Sequence, residues 1–245
     1  MRRTFAHTGV PIGFDLPIPR TPAVFREKTK FRSLDESDFD PVRDNYSSAD
    51  LSAEQLRAKF RDEEELGSMF PTALGRLVQE HGESRVRVAS MGAVMKPDGS
   101  ARPVHDGTHG VHVNNSIRIG DQLELPGPPE LAAVARAVAE QRAGAFSVAA
   151  DVKAAHRLVK VRPADWPLLA CRAESSDKVV WVNRVGTFGI SSASLWRSRL
   201  FGGVGRLIGA CLLLAPFWQL VFVDDVRGVF VGRRKFVLFW VWLVV

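Results

Sequence analysis

The chain is poor in cysteine, with only two such residues in 245, Cys171 and Cys211. Both lie in apolar stretches, and their spacing matches no metal-ligand pattern. The composition therefore excludes a disulfide-rich secreted scaffold. We expect two reduced core thiols in an intracellular protein of the cytoplasm or nucleus.

Long apolar runs are also scarce. No secretory signal is visible, because Met1-Arg2-Arg3 is not followed by an apolar run. Residues 207 to 223 carry no charge, but Pro216 and Gln219 interrupt them. We expect a buried helix that ends before Pro216 and a strand from about Trp218, with a membrane span as the alternative. The closing run, 236 to 245, is short for a span and predicts a core element, so no obligate membrane partner is expected.

Charge is distributed unevenly along the chain. Residues 33 to 66 contain 11 acidic and 4 basic side chains, so they carry −7 while the remainder of the chain carries +13. A basic part of this size favours a polyanion such as nucleic acid as the partner. A membrane-surface or ribosome-associated protein would share the same balance.

Local patterns divide the chain into two parts. Residues 1 to 66 predict a partly irregular N-terminal extension that ends in an acidic helix over about 53 to 66. Ser52 and Gln55 resemble a capping box at the start of this helix. Its acidic stretch, Asp62 to Glu65, is either a solvated face or an interaction surface. Residues 67 to 245 form the second part.

The second part alternates between strand and helix signals. Residues 84 to 95 predict a strand, and a Pro-Asp-Gly turn leads to a return strand at 102 to 104. A helix over 129 to 142 leads into a strand that ends at Asp151. Two paired strands, at 168 to 173 and 179 to 184, and a helix from about Ser192 complete the pattern. We therefore expect an α+β fold.

Four potential metal ligands follow the first hairpin: His105, Asp106, His109 and His112. Their spacing is not a standard zinc pattern, and no cysteine lies near them. They either bind zinc or, as we expect, brace the base of the hairpin.

Two adjacent carboxylates interrupt an apolar run between Leu220 and Val231. The run predicts a hairpin with Asp224 and Asp225 at its turn. Like charges at this position repel each other, unless the turn is solvated or a cation neutralises them. A second apolar strand ends on Asp151. Side by side, the strands would bring three carboxylates to one sheet edge, which is the ligand set of a two-metal phosphoryl-transfer site.

Four blocks in this order resemble the motifs of reverse transcriptases. Phe222-Val223-Asp224-Asp225 is similar to the aromatic-x-Asp-Asp motif, and Asp151 to His156 is similar to the first palm motif of the family. The segment from Lys96 to Asp106 resembles the fingers hairpin. Gly186 to Ala193 resembles the glycine block that lies between the two carboxylate motifs.

The resemblance implies an RNA-directed DNA polymerase of a retrotransposon-like element, a nucleotidyltransferase with fingers and an antiparallel palm sheet backed by helices. Its partners would be dNTP and an RNA or DNA template with a primer. By motif, Asp151, Asp224 and Asp225 are the catalytic residues and hold two Mg²⁺ ions, or Mn²⁺ in their place. The motifs imply nucleotide binding by five residues: Lys96, Arg102, His156, Phe188 and Gly189.

Three departures from the family pattern stand out. His156 takes the place of Tyr or Phe, Ser194 takes the place of Pro, and no thumb or RNase H region follows the Asp pair in this sequence. A catalytically inactive polymerase-derived domain that binds nucleic acid is therefore the second hypothesis. A membrane protein with a nonspecific Asp-Asp turn is the third.

Overall fold

A computed structural model describes residues 8–21, 26–31, 38–211 and 217–232. The closing run at 236 to 245 and the expected helix end next to Pro216 lie outside these residues. Within them the fold is α+β, as the sequence predicts. The elements in chain order are β1 (Arg26–Glu27), α1 (Ser47–Asp50), α2 (Ala53–Glu65), β2 (Met69–Ala73), α3 (Leu74–His81), β3 (Val88–Met95), β4 (Ala101–Asp106), α4 (Val113–Ser116), β5 (Asp121–Gln122), α5 (Pro128–Glu140), β6 (Ala145–Asp151), β7 (Ala170–Cys171), β8 (Val179–Asn183), α6 (Ser191–Cys211), β9 (Phe217–Phe222) and β10 (Asp225–Val231).

The chain forms two compact units. The first comprises the described residues up to Gln122 together with His156–Trp196, and the second comprises Leu123–Ala155 and the described residues from Arg197 onward. The boundary expected at residue 66 stays a prediction. Leu56 and Phe60 of α2 nonetheless share one buried cluster with strand residues of the first unit.

The first unit is built on a mixed five-stranded sheet in the order β2-β8-β7-β3-β4. Only β3 and β7 pair in parallel. Successive residues of β8 lie in different clusters, because side chains alternate between the faces of a strand. Trp181 packs with α2, whereas Val180 and Val182 pack with Leu77 of α3. Helices therefore cover both faces of this sheet.

The second unit holds a three-stranded antiparallel sheet in the order β6-β10-β9. Phe230 of the central strand stacks on Phe146, with 5.5 Å between ring centroids, and contacts Phe217 at 4.8 Å. Ile208 of α6 packs against the same ring, so this helix covers the sheet. A Cβ at Gly205 of α6 would meet the end of the flexible Gln219 side chain, whereas Gly203 and Gly209 face open space.

The structure tests two local expectations, the burial of the cysteines and the capping box at Ser52. Cys171 is buried as expected, and burial raises the pKa of its thiol to about 12; the side chain of Cys211 lies outside the described set. The capping box at Ser52 is wrong. Gln55 instead accepts a hydrogen bond from the backbone N–H of Ala101 at 2.7 Å and donates to the carbonyl of Gly99.

Across the described ranges, no helix is both long and apolar enough to cross a membrane. The charge-free stretch from 207 contributes the end of α6 and the strand β9.

We expect His105 to make folding sensitive to mild acid. Burial lowers the pKa of this imidazole from 6.5 to about 4, so the unfolded chain takes up a proton in this range while the folded chain does not. The free energy of unfolding should be undiminished above pH 6.5 and fall by about 1.4 kcal/mol per pH unit between pH 6.5 and 4.

Urea unfolding at a series of pH values measures this dependence. His105→Leu should flatten it, whereas substitution of the exposed His81 by Gln should not. An unchanged slope in His105→Leu would contradict the assignment.

Candidate functional site

The three carboxylates predicted to bind metal lie at one end of the second unit's sheet. Antiparallel pairing of β6 with β10 sets Asp151 opposite Asp225. Directly opposed residues have Cα atoms about 4.5 to 5.5 Å apart and point to the same face. Asp224 lies in the adjoining turn, where its backbone carbonyl accepts a hydrogen bond of 3.0 Å from the N–H of Val152. Residues distant in sequence are thus neighbours here.

The three carboxylates are exposed to solvent, and a bound cation would reduce the repulsion between them. Asp151, Asp224 and Asp225 are all exposed, and none forms an ion pair with another described residue. Like charges directly opposite each other on a sheet are destabilising. Two carboxylates suit Mg²⁺, which fills its remaining positions with water and substrate phosphate. The Asp151–Asp225 pair therefore fits one such ion.

A complete two-metal set is a stricter requirement. In the part of the chain that the structure describes, no three His, Cys, Asp or Glu side chains are grouped so as to hold a metal. Metal binding by Asp224 and the presence of a second ion therefore remain predictions.

The turn between β9 and β10 is conformationally unusual. Val223 has φ = 54°, a region that β-branched residues rarely adopt because Cβ crowds the backbone. Such outliers persist where the surrounding structure enforces them, and they concentrate at functional sites. The hydrophobic pattern gave no sign of this strain.

Arg197 is a second feature that sequence reasoning missed. It is 2% exposed, and within the described residues its Nε and Nη1 atoms lack hydrogen-bond partners. Burial lowers the pKa of this guanidinium, and the negative charge of Asp224 opposes the change. Arg197 precedes Asp224 by a helix and a strand, so no local sequence signal links them.

The predicted nucleotide-binding residues belong to the first unit. Lys96 and Arg102 lie on the β3–β4 hairpin, at its tip and on its return strand. Both are exposed, and neither pairs with a carboxylate among the described residues. They are therefore available to an anion.

Phe188 is the centre of a small exposed cluster. The guanidinium carbon of Arg102 lies 5.0 Å from its ring centroid, and the His156 ring meets it edge-on at 6.1 Å. The Phe188 ring is 49% exposed despite its size. An exposed aromatic ring beside a cation is a typical platform for stacking a base.

His156 and Ser194, two departures from the family pattern, contact each other. His156 Nε2 lies 3.1 Å from Ser194 Oγ, at hydrogen-bond distance. A proline at 194 would leave the imidazole without this partner, since it has no hydroxyl. The two departures are thus structurally coupled.

The loop that carries Phe188 is anchored at Gly189. This residue has φ = 103°, and a Cβ here would collide with the backbone carbonyl of His105. Asn114 Nδ2 donates to the Gly189 carbonyl at 2.6 Å, and Asn114 Oδ1 accepts from the N–H of Ser191. The Gly189 position is therefore a close backbone approach that only glycine satisfies.

The histidine-rich segment after the hairpin does not form a zinc site within the described residues. Asp106 instead accepts hydrogen bonds from Tyr46 Oη at 2.6 Å, His109 Nδ1 at 2.7 Å and the N–H of Thr108. The bond to Asp106 raises the pKa of Tyr46 to about 12. Asp106 thus braces the base of the hairpin, as expected.

Comparison with models of protein families and with curated proteins found no match to this chain.

We expect Gly189→Ala to destabilise the first unit strongly. The new methyl group would strike the His105 carbonyl in a backbone conformation that is already unfavourable for alanine. Together these effects should cost about 3 kcal/mol or more of unfolding free energy.

Urea unfolding measures the loss. Gly67→Ala is the matched control, because Gly67 also has positive φ but faces open space. It should cost only about 1 kcal/mol. Equal losses in the two variants would show that the contact with His105 does not constrain the loop.

Proposed function

We propose that the chain is an RNA-directed DNA polymerase, the reverse transcriptase of a retrotransposon-like element. It would add a nucleotide from dNTP to a primer 3′ hydroxyl on an RNA or DNA template. The observation that carries the proposal is the register that sets Asp151 opposite Asp225, with Asp224 in the adjoining turn. The strand pattern and the motif resemblance both predicted that these residues are partners, and the strand pairing supports that choice.

The carboxylates have one main task under this proposal. Asp151 and Asp225 would hold Mg²⁺ (or Mn²⁺) at the sheet end, and Asp224 would complete the ligand set for a second ion. When bound, the metal would neutralise triphosphate charge and make the primer hydroxyl a better nucleophile. Arg197 would contribute a buried positive charge that interacts with Asp224.

The first unit would supply the nucleotide contacts. Arg102 and Lys96 lack carboxylate partners among the described residues and would bind triphosphate oxygens, Arg102 in a fork geometry. Phe188 and Gly189 would form the floor beneath the nucleotide. His156 would lie near the sugar, held by Ser194. Catalysis of this type depends mainly on positioning and charge neutralisation.

A second function has an observation in its favour. Within the described residues, no three metal ligands are grouped. A polymerase-derived domain that binds nucleic acid without extending it would not require such a metal site. Such a domain would keep the exposed cations and the aromatic platform. Primer extension separates the two functions.

We expect Asp225→Asn and Asp151→Asn each to reduce single-nucleotide primer extension by at least about 100-fold, or about 2.7 kcal/mol. Each removes a carboxylate charge while preserving shape. Both should also weaken Mn²⁺ binding, measured by calorimetry without nucleic acid. Asp62→Asn, on the exposed face of α2, is the matched control and should change neither quantity.

Two results would separate the functions. Metal binding and template binding without extension by the wild type would favour the binding domain. Extension that survives both substitutions would contradict the carboxylate assignment.

We expect His156→Tyr to raise discrimination against ribonucleotides about 10- to 100-fold, or about 1.4 to 3 kcal/mol. A phenol ring is larger than an imidazole and should exclude the ribose 2′ hydroxyl more completely. The ratio of deoxynucleotide to ribonucleotide incorporation measures the effect. His109→Tyr, on the exposed side of the Asp106 network, is the control, and an unchanged ratio in His156→Tyr would refute the assignment.

A further inference from the structure

The three-stranded sheet of the second unit has one exposed edge. Among the described residues β6 pairs only with β10, so the other side of β6 has no neighbouring strand there. Ala145, Ser147 and Ala149 of β6 are exposed, whereas no residue of β9 at the opposite edge is. An edge strand presents its unpaired N–H and C=O groups to any chain that can pair with it.

The hydrogen bonds between β6 and β10 show which backbone groups of β6 are unpaired. The N–H of Val152, just after the strand, donates to the Asp224 carbonyl at 3.0 Å. Bonded and non-bonded positions alternate along an antiparallel pair, so the even-numbered residues of β6 bond to β10. Ala145, Ser147 and Ala149 therefore direct their N–H and C=O groups away from the sheet. Their side chains are small and uncharged, so they do little to shield these groups.

The five-stranded sheet of the first unit protects both of its edges with proline. On β4 the N–H of Ala101 bonds outward to Gln55, and Pro103, two positions further on, faces the same way. On β2 the Ser68 carbonyl accepts from the residue that follows β8, so Pro71, three positions later, faces outward. Proline has no N–H to offer to an added strand. β6 contains no proline and lacks this protection.

The helix that precedes β6 also has uncovered apolar surface. None of the residues of α5 is buried, although most of them are apolar, and Leu131 is 40% exposed. A helix of 13 residues is only marginally stable alone, because most helix stability in proteins comes from packing of an apolar face. The continuous segment from Pro128 to Asp151 thus combines an open strand edge with apolar helix surface.

We propose that β6 pairs in antiparallel fashion with β6 of a second copy of this chain and joins two sheets into one of six strands. A two-fold axis at Ser147 sets Ala145 of each copy opposite Ala149 of the other, an isologous contact that requires only one surface. No charged residue lies between Arg142 and Asp151. Antiparallel pairing places the Arg142 end of each strand beside the Asp151 end of the other, so opposite charges meet at both ends. The two Asp151 residues lie about 27 Å apart along the strands, at about 3.4 Å per residue.

Sedimentation velocity of the 245-residue chain, without metal or nucleic acid, tests the proposal independently of any activity. The wild type should show a reversible monomer–dimer equilibrium between about 1 µM and 0.1 mM chain, with no larger species. Ser147→Lys and Ser147→Asp should each weaken the dimer by about tenfold or more, because the residue on the axis then faces its own charge. An equimolar mixture of the two variants should restore the dimer. Ser84→Lys, at an exposed serine of the first unit, is the matched control and should leave the dimer unchanged.

Ser147→Pro tests the backbone contribution separately. A proline at this outward position leaves the pairing with β10 intact and removes one N–H from each copy at the interface. It should weaken the dimer about 10- to 100-fold, while circular dichroism shows that the fold is kept. If Ser147→Pro fails to fold, the two charge variants decide the question. A wild type that stays monomeric throughout, association that survives the Ser147 variants, or a mixture of the charge variants that stays monomeric would overturn the proposal.

Discussion

The register of β6 against β10 determines where the carboxylates lie, and an apolar contact at the other end of the same strands fixes that register. Phe146 and Phe230 are cross-strand partners and stack, with Phe217 against the second ring. Because side chains alternate between faces, a slip by one residue would expose Phe230 and move Asp225 away from Asp151. Burial of the aromatic rings therefore outweighs the repulsion between the two opposed carboxylates.

In the first unit, a backbone contact fixes the position of the loop that carries Phe188. Gly189 lies against the His105 carbonyl, and Asn114 holds the loop from the other side. His105 itself is fully buried with both ring nitrogens unpaired within the described residues, a cost that only a well-packed neighbourhood can sustain. The loop that presents Phe188 thus depends on the base of the hairpin that presents Arg102. The β3–β4 hairpin and the loop that carries Phe188 and Gly189 thus form one packed assembly.

Periodicity predicted most of the elements, because burial on one face is a local property of sequence. The strand at Ala145–Asp151 has the bounds that its apolar run indicates, and β9 and β10 flank the Asp pair as expected. Reasoning from the sequence was wrong, or made no prediction, for side chains whose contacts are with residues distant in the sequence. Gln55 bonds to Ala101 and not to its own helix end. The contact of His156 with Ser194 and the effect of Asp224 on Arg197 follow from tertiary structure alone.

The basic side chains fall into two groups: those in ion pairs with carboxylates and those without a carboxylate partner among the described residues. Buried Asp165 binds Arg162 at 2.7 Å, and Arg57 bonds to Asp177 at 2.8 Å, so these arginines contribute to the fold. Arg102 and Lys28 have no carboxylate partner among the described residues, and each lies beside an aromatic ring. An exposed cation can bind a phosphate while the aromatic ring beside it stacks on a base. Under the proposed function, nucleic acid would supply both groups, and these positions would bind it more directly than the net charge alone.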